Sequence, residues 1–302
     1  MPYTRALKYK LPFCRGEDVL AVQLRLRELR STVVGQPDGV FGVRTEAAVK
    51  AFQRSRGLKE DGIVGPLTWT DLFEGTRVDE SDEKIGSVLL QDLRQPHIYR
   101  NSVVWSLTPR GVAIDDGEPE TTGSEPKTVR RVWESFGPPI EHWAKMFQVP
   151  VELIIATICT ETRGDPTAVR EEPGFISDEQ TPNKVSPGLM QTLISTAREA
   201  LGDDDIDRAW LLEPGNSIRA GTAYIASQWR VTNYDPPKVG CAYNAGGIYH
   251  NDSESNRWKM RQYPINTDEH ANRFVRWLND CFVMFDRDET TPEVSFFKLL
   301  KS

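Results

Sequence analysis

A chain of 302 residues, 38% apolar and 27% charged, has the mass for two domains, or for one domain and a small module, and a globular composition. Its longest apolar run is far short of the roughly 18–20 residues a membrane span needs, and the opening MPYTRALKYKLPFCRGEDV lacks the apolar stretch and cleavage site of a secretory signal. The net charge of −7 is uneven: residues 1–75 hold 12 Lys/Arg against 9 Asp/Glu, and the remainder holds 25 against 35. Such an acidic body argues against nucleic acid as the main partner, because phosphate binding needs clustered Lys and Arg.

In chain order, the first predicted helix carries Val19, Val22, Leu26 and Leu29 at helical spacing. An internal repeat follows. PDGVFGVRTEAAVKAFQ (37–53) is echoed 23 residues later by EDGIVGPLTWTDLF (60–73). In each copy Asp-Gly makes a turn, and Thr45 or Thr68 stands where a helix N-cap is expected. A three-helix module over residues 1–75 is the expected result. Residues 76–127 read as a linker, with IDDGEPETTGSEP (114–126) as an exposed acidic loop and a short hairpin within SVVWSLTPRGVAI (102–114).

From residue 128 the chain reads as mostly helical, with periods at Thr128–Phe136, Ile140–Phe147, Pro150–Glu161, Ser195–Leu201, Asn216–Arg230, Lys238–Asn244 and Asp268–Asp286. The fold class is therefore mainly α. Cys14, Cys159, Cys241 and Cys281 are too scattered for a metal pattern and read as reduced, buried small hydrophobes. The four histidines show no metal-ligand spacing, so neither a metal nor a cofactor is expected.

One carboxylate is out of place. Glu161 ends the apolar run Ile154-Ile155-Ala156 and Ile158, directly before a Gly-Asp-Pro turn. By itself it is either a solvated helix end or a carboxyl against an apolar wall, held protonated as a general acid. Periodicity does not choose between them.

Two resemblances do. The doubled DG-x-x-G-x-x-T pattern with its AFQ segment resembles the peptidoglycan-binding module that accompanies many cell-wall hydrolases, over about residues 14–74. The ET pair at 161–162, SPGLMQ at 186–191 and CAYNAGG at 241–247 occur in the order of the signature blocks of the soluble lytic transglycosylases. Those enzymes are relatives of goose-type lysozyme in glycoside hydrolase family 23. Pro214, Asn216, Gly221 and Tyr224 match the helix that family places between its last two blocks.

The resemblance implies a lysozyme-like helical catalytic domain over 128–302, acting on peptidoglycan glycan strands. It implies that Glu161 protonates the glycosidic oxygen between N-acetylmuramic acid and N-acetylglucosamine. The same residue then deprotonates the muramic 6-hydroxyl, giving a 1,6-anhydro end. Thr162, Met190, Gln191, Tyr224, Tyr243 and Asn244 are the implied substrate-binding residues, with Tyr243 donating near the scissile bond. Two departures stand out: Thr162 replaces the usual Ser, and 30 residues separate Glu161 from Gln191, a longer interval than the family's. Within the extra length, roughly 170–184, Glu171, Glu172 and Asp178 are candidates for a second carboxylate, as is Asp165 just before it, and such a carboxylate would make the enzyme a hydrolytic lysozyme. The whole resembles a bacteriophage endolysin, expected to be a monomer made in the host cytoplasm that reaches the wall after membrane permeabilisation. Chitin cleavage and an inactive, virion-associated wall-binding protein are the alternatives.

Overall fold

The computed structural model describes residue 3 and residues 5–29, 33–56, 58–73, 91–123 and 125–301, and it is mainly α-helical. The part of the expected linker at 76–90 lies outside the described residues. Two compact units form, one from the described residues up to Phe73 with Arg198–Asp204, the other from the rest of the described chain.

The first unit packs α1 (Glu17–Glu28), α2 (Val43–Ser55) and α3 (Pro66–Phe73) around Val19, Val22, Leu26, Phe41, Val49, Phe52, Trp69 and Leu72. Glu17 and Asp18 open α1 while Arg25 and Arg27 close it, each sign facing the favourable end of the helix dipole. The sequence repeat becomes a repeated polar latch. The Gln23 amide nitrogen donates toward Asp38 Oδ1, the Val40 carbonyl and Thr45 Oγ1, at 2.9–3.0 Å. Its oxygen accepts from the Asp38 and Gly39 amides. One repeat later, Gln53 donates toward Asp61 Oδ1, the Ile63 carbonyl and Thr68 Oγ1 at 2.8–3.1 Å and accepts from Gly62 N.

The threonines are therefore not the N-caps expected of them. Gly42 caps α2, and Thr45 and Thr68 are each the third residue of their helix, buried so that a glutamine can reach them. A polar group buried at a turn must be hydrogen-bonded, and one glutamine per repeat meets that demand for a whole Asp-Gly turn.

In the second unit, α4 (Lys127–Phe147) is one helix where the sequence suggested two, Thr128–Phe136 and Ile140–Phe147. Pro138 and Pro139 lie inside it. The carbonyls that lose their partners belong to Glu134 and Ser135, which are exposed, so water can take those bonds. Meanwhile the buried face of Val129, Val132, Ile140, Ala144 and Phe147 runs unbroken past the prolines and holds both halves on one axis. Next comes α5 (Val151–Glu161). Every residue from Val151 to Thr160 is buried, so α5 is a core helix.

The hairpin of β1 (Trp105–Thr108) and β2 (Gly111–Ile114) forms as read from the sequence. It is more than a connection, because Trp105, Leu107 and Val112 join the buried core. Asn279, on α11 (Glu269–Arg287), accepts from Val112 N at 2.7 Å and donates to the Val112 and Glu120 carbonyls, as a neighbouring strand would. All four cysteines are free and buried.

Replacing Gln53 by leucine keeps the volume and strands the buried Gly62 amide, leaving the Thr68 hydroxyl and the Ile63 carbonyl only their bond to each other. The first unit should lose about 1–3 kcal/mol, seen as an earlier first transition in urea unfolding of the whole chain with the second transition unmoved.

Candidate active site

Glu161 ends α5, where the buried helix first meets solvent, and its side chain is only 19% exposed. Burial among apolar neighbours pushes its pKa up from 4.5 to about 7, against the opposing pull of Arg273 and Arg170. A carboxyl poised there keeps its proton near neutral pH yet can release it. His270, buried on α11, places Nε2 3.7 Å from Glu161 Oε1. Burial and the charge of Arg273 drive this imidazole's pKa down to about 3, so it is neutral beside the acid.

The next residue, Thr162, holds the neighbouring block. Its Oγ1 hydrogen-bonds the Leu189 carbonyl at 2.8 Å and accepts from Gly164 N at 3.2 Å. A serine would offer the same oxygen, so the substitution keeps the bond and adds stiffness.

The GLMQ block is held by a dense set of internal contacts. Met190, expected near substrate, is fully buried, and a Cβ on Gly221 of α8 (Pro214–Ser227) would come within 2.5 Å of its sulfur. Gly221 is the space that Met190 fills. Gly188 has φ +82°, and a Cβ there would meet the Leu211 carbonyl at 2.1 Å, so no other residue fits. Gln191 spends its amide on neighbouring backbone. Its nitrogen donates to the Ala168 and Gly188 carbonyls at 3.0 and 2.9 Å, and its oxygen accepts from Ser186 Oγ. Both amide hydrogens are thus spent on fastening the chain just after the Gly-Asp-Pro turn to the chain before Leu189.

Tyr243 and Asn244 lie on α10 (Pro236–Ala245). The Tyr243 hydroxyl donates to the Met190 carbonyl at 2.8 Å and accepts from Thr192 Oγ1 at 2.9 Å. Burial holds its pKa well above the usual phenol value. It therefore does not present a free O–H to the scissile bond, and its ring is a wall near Glu161. Tyr224 stacks edge-on against it, ring centroids 5.2 Å apart, and accepts from Gln228. Asn244 Oδ1 accepts from Tyr263 N, which anchors the loop that follows α10.

Each of the four candidates for a second carboxylate has a partner of its own. The inserted stretch is a hairpin of β3 (Val169–Glu171) and β4 (Val185–Pro187). Arg208 forks across Asp178 and Glu171 at 2.7 and 2.8 Å. Glu172 pairs with Arg170 at 2.8 Å. Asp165 takes the Thr167 amide and hydroxyl, which hold its pKa below the usual range. Three of these carboxylates are thus matched to cations and the fourth to the donors of its own turn.

Sequence reasoning missed His270, Arg273, Arg170 and Thr192. His270 is 109 positions from Glu161 and belongs to none of the three blocks, so only the packing of α11 on α5 brings it in. Among the described residues, no group of three or more His, Cys, Asp and Glu could hold a metal ion.

Residues 15–72 match the model of a putative peptidoglycan binding domain, and residues 138–266 match that of the transglycosylase SLT domain. The chain couples these two domains. A protein of Kitasatospora aureofaciens described only as uncharacterized, in the bpoA1 3' region, is 49% identical over 57 residues, 19% of this chain and 48% of that protein. A spore cortex-lytic enzyme of Bacillus cereus is 39% identical over 72 residues, 24% of this chain and 27% of that protein. The chain thus spans less than half the length of either. Among solved structures, an inactive mutant of the lytic transglycosylase Slt from Pseudomonas aeruginosa aligns at 19% identity with a TM-score of 0.40, covering 56% of this chain and 27% of that one.

The linkage of Glu161 to stability has a definite sign. Its folded pKa lies above its unfolded one, so it contributes stability below pH 4.5 that is lost as pH rises to about 7. Glu161→Gln removes the charge and with it that loss. The variant should be more stable than the parent by about 2–3 kcal/mol at pH 8 and nearly equal at pH 4, read from Tm against pH.

Proposed function

We propose that this chain is a lytic transglycosylase that cleaves the β-1,4 bond between N-acetylmuramic acid and N-acetylglucosamine in peptidoglycan and leaves a 1,6-anhydro-muramic end. One observation carries the reading: a desolvated carboxyl, Glu161, stands where the buried helix α5 meets solvent, while each candidate for a second carboxylate is tied to a cation or a turn. The SLT domain over residues 138–266 supports the same class of enzyme.

In the first step the protonated Glu161 gives its proton to the bridging oxygen, and the bond from that oxygen to the muramic C1 breaks. Positive charge develops at C1 and the ring oxygen, with the 2-acetamido group of the same sugar as the neighbouring stabiliser. In the second step the Glu161 carboxylate takes the proton of the muramic 6-hydroxyl while O6 bonds to C1. The carboxyl ends protonated, as it began, and no water is consumed. A group that must act as acid and then as base works best with a pKa close to the working pH. By contrast, hydrolysis needs a second carboxyl roughly 5–9.5 Å away to activate water or trap the sugar.

The module over residues 1–75 would hold the enzyme to its insoluble substrate, with 76–127 joining it to the catalytic domain at 128–302. Release of a phage from its host by wall digestion fits this pairing of domains. Among the described residues no helix is long and apolar enough to cross a membrane.

Digestion of purified sacculi followed by mass spectrometry tests the reaction. Anhydro ends are expected, and reducing muramic acid would mean a lysozyme. Glu161→Gln should lower cleavage at least a thousandfold while sacculus binding persists. The rate should fall as pH rises through about 7, because the acid form of Glu161 is lost there. Chitin oligomers should remain uncut, since they lack the muramic lactyl and peptide groups.

A further inference from the structure

We propose that His270 is a positioning residue for Glu161, its Nε2–H closing onto Oε1 when the carboxyl gives up its proton; the inference rests on the assignment of Glu161 as the acid. The geometry is suited to that task. At 3.7 Å the pair lies beyond hydrogen-bond distance, which a neutral carboxylic acid tolerates. A carboxylate left in the same apolar wall does not tolerate it, and charge-assisted bonds are short, so ionisation of Glu161 draws the imidazole in. His270 is 3% exposed and sits on the second residue of α11, a helix packed along α5, so it needs to move by less than an ångström.

The charged surroundings leave His270 little other chemistry. Glu161 from α5 and Arg273 from α11 face it, while Tyr243 from α10 and Arg170 from β3 act on Glu161. With Arg273 beside it in a buried site, the imidazole stays neutral and has no proton to spare as an acid. It retains one N–H to offer, and the anion formed after the first step is the group that needs it. Arg273 and Arg170 supply charge to that anion from a distance, and His270 supplies direction. This answers a problem that the two-step reaction poses: burial favours the acid form of Glu161, yet the second step needs the carboxylate in place and correctly aimed.

Methionine and glutamine resemble each other in length, but only glutamine can donate, so His270→Gln and His270→Met separate the bond from the packing. His270→Met should lower kcat ten- to a hundredfold with KM within twofold. It should also move the alkaline limb of the rate profile up by about one pH unit, because the carboxylate has lost a donor. His270→Gln should restore most of kcat and return the limb toward the parent. A second readout does not depend on activity: the Tm difference between His270→Met and its Glu161→Gln double variant, followed against pH, gives the folded pKa of Glu161. The proposal is overturned if that pKa is unchanged or falls in His270→Met, or if the Gln and Met variants behave alike. If Glu161→Gln itself stays active, the proposed function fails instead, so the two failures are told apart.

Discussion

The second unit is organised by a helix that has no side facing water. Residues Val151 to Thr160 of α5 are all buried, so the chain must surround it with α4, α8, α10 and α11 and can open to solvent only at its end. That end carries Glu161. The carboxyl is desolvated because of where the helix stops, and its raised pKa follows from the position of a core element. Such a carboxyl reduces stability at neutral pH, and a site that needs a proton near pH 7 is one place where that loss is useful.

Around this helix, buried polar side chains join segments that are distant in sequence, each satisfying several groups at once. Glu152, one residue into α5, accepts from Ser295 Oγ and from the amides of Phe296 and Phe297, and so docks α12 (Phe296–Lys301). Asp235, ahead of α10, accepts from Trp105 Nε1, His97 Nδ1 and Lys238 Nζ at 2.7–3.0 Å and ties the hairpin region to the helix that carries Tyr243. Asn279 imitates a strand beside Val112. In the first unit Gln23 and Gln53 perform the same service for two Asp-Gly turns. An unpaired polar group in a core costs about 1–3 kcal/mol, so each of these residues is specified as firmly as a large apolar one.

The signature blocks act largely on one another. Thr162 holds Leu189, Gln191 holds Ala168 and Gly188, and Tyr243 holds Met190. Side chains expected to touch sugar also brace the segments around Glu161 against one another. The inserted acidic hairpin is braced in the same way by Arg208, which also lies over the Phe175 ring.

Much was legible from residues alone. The helical spacing located α1, α5, α10 and α11 to within a few residues, because burial of one face or of all faces leaves a mark at short range. Glu161 stood out because a carboxylate after Ile154, Ile155 and Ile158 breaks the pattern of its own helix. The doubled Asp-Gly turns announced a small repeated module. What short-range pattern could not supply was the far partner of each polar group. Gln191 and Met190 sit side by side, yet one braces a loop and the other fills the space over Gly221. The prolines of α4 look like a break until the buried stripe on both sides is seen to line up. His270 belongs to no motif, and the acids at 165–178 were equal candidates until Arg208, Arg170 and Thr167 were found to hold them. Short-range pattern marked where most of the longer helices lie and which carboxyl is exceptional, since those depend on neighbours within a few residues. Only the tertiary structure decided what faces that carboxyl, because hydrogen bonds and desolvation depend on groups a hundred residues away.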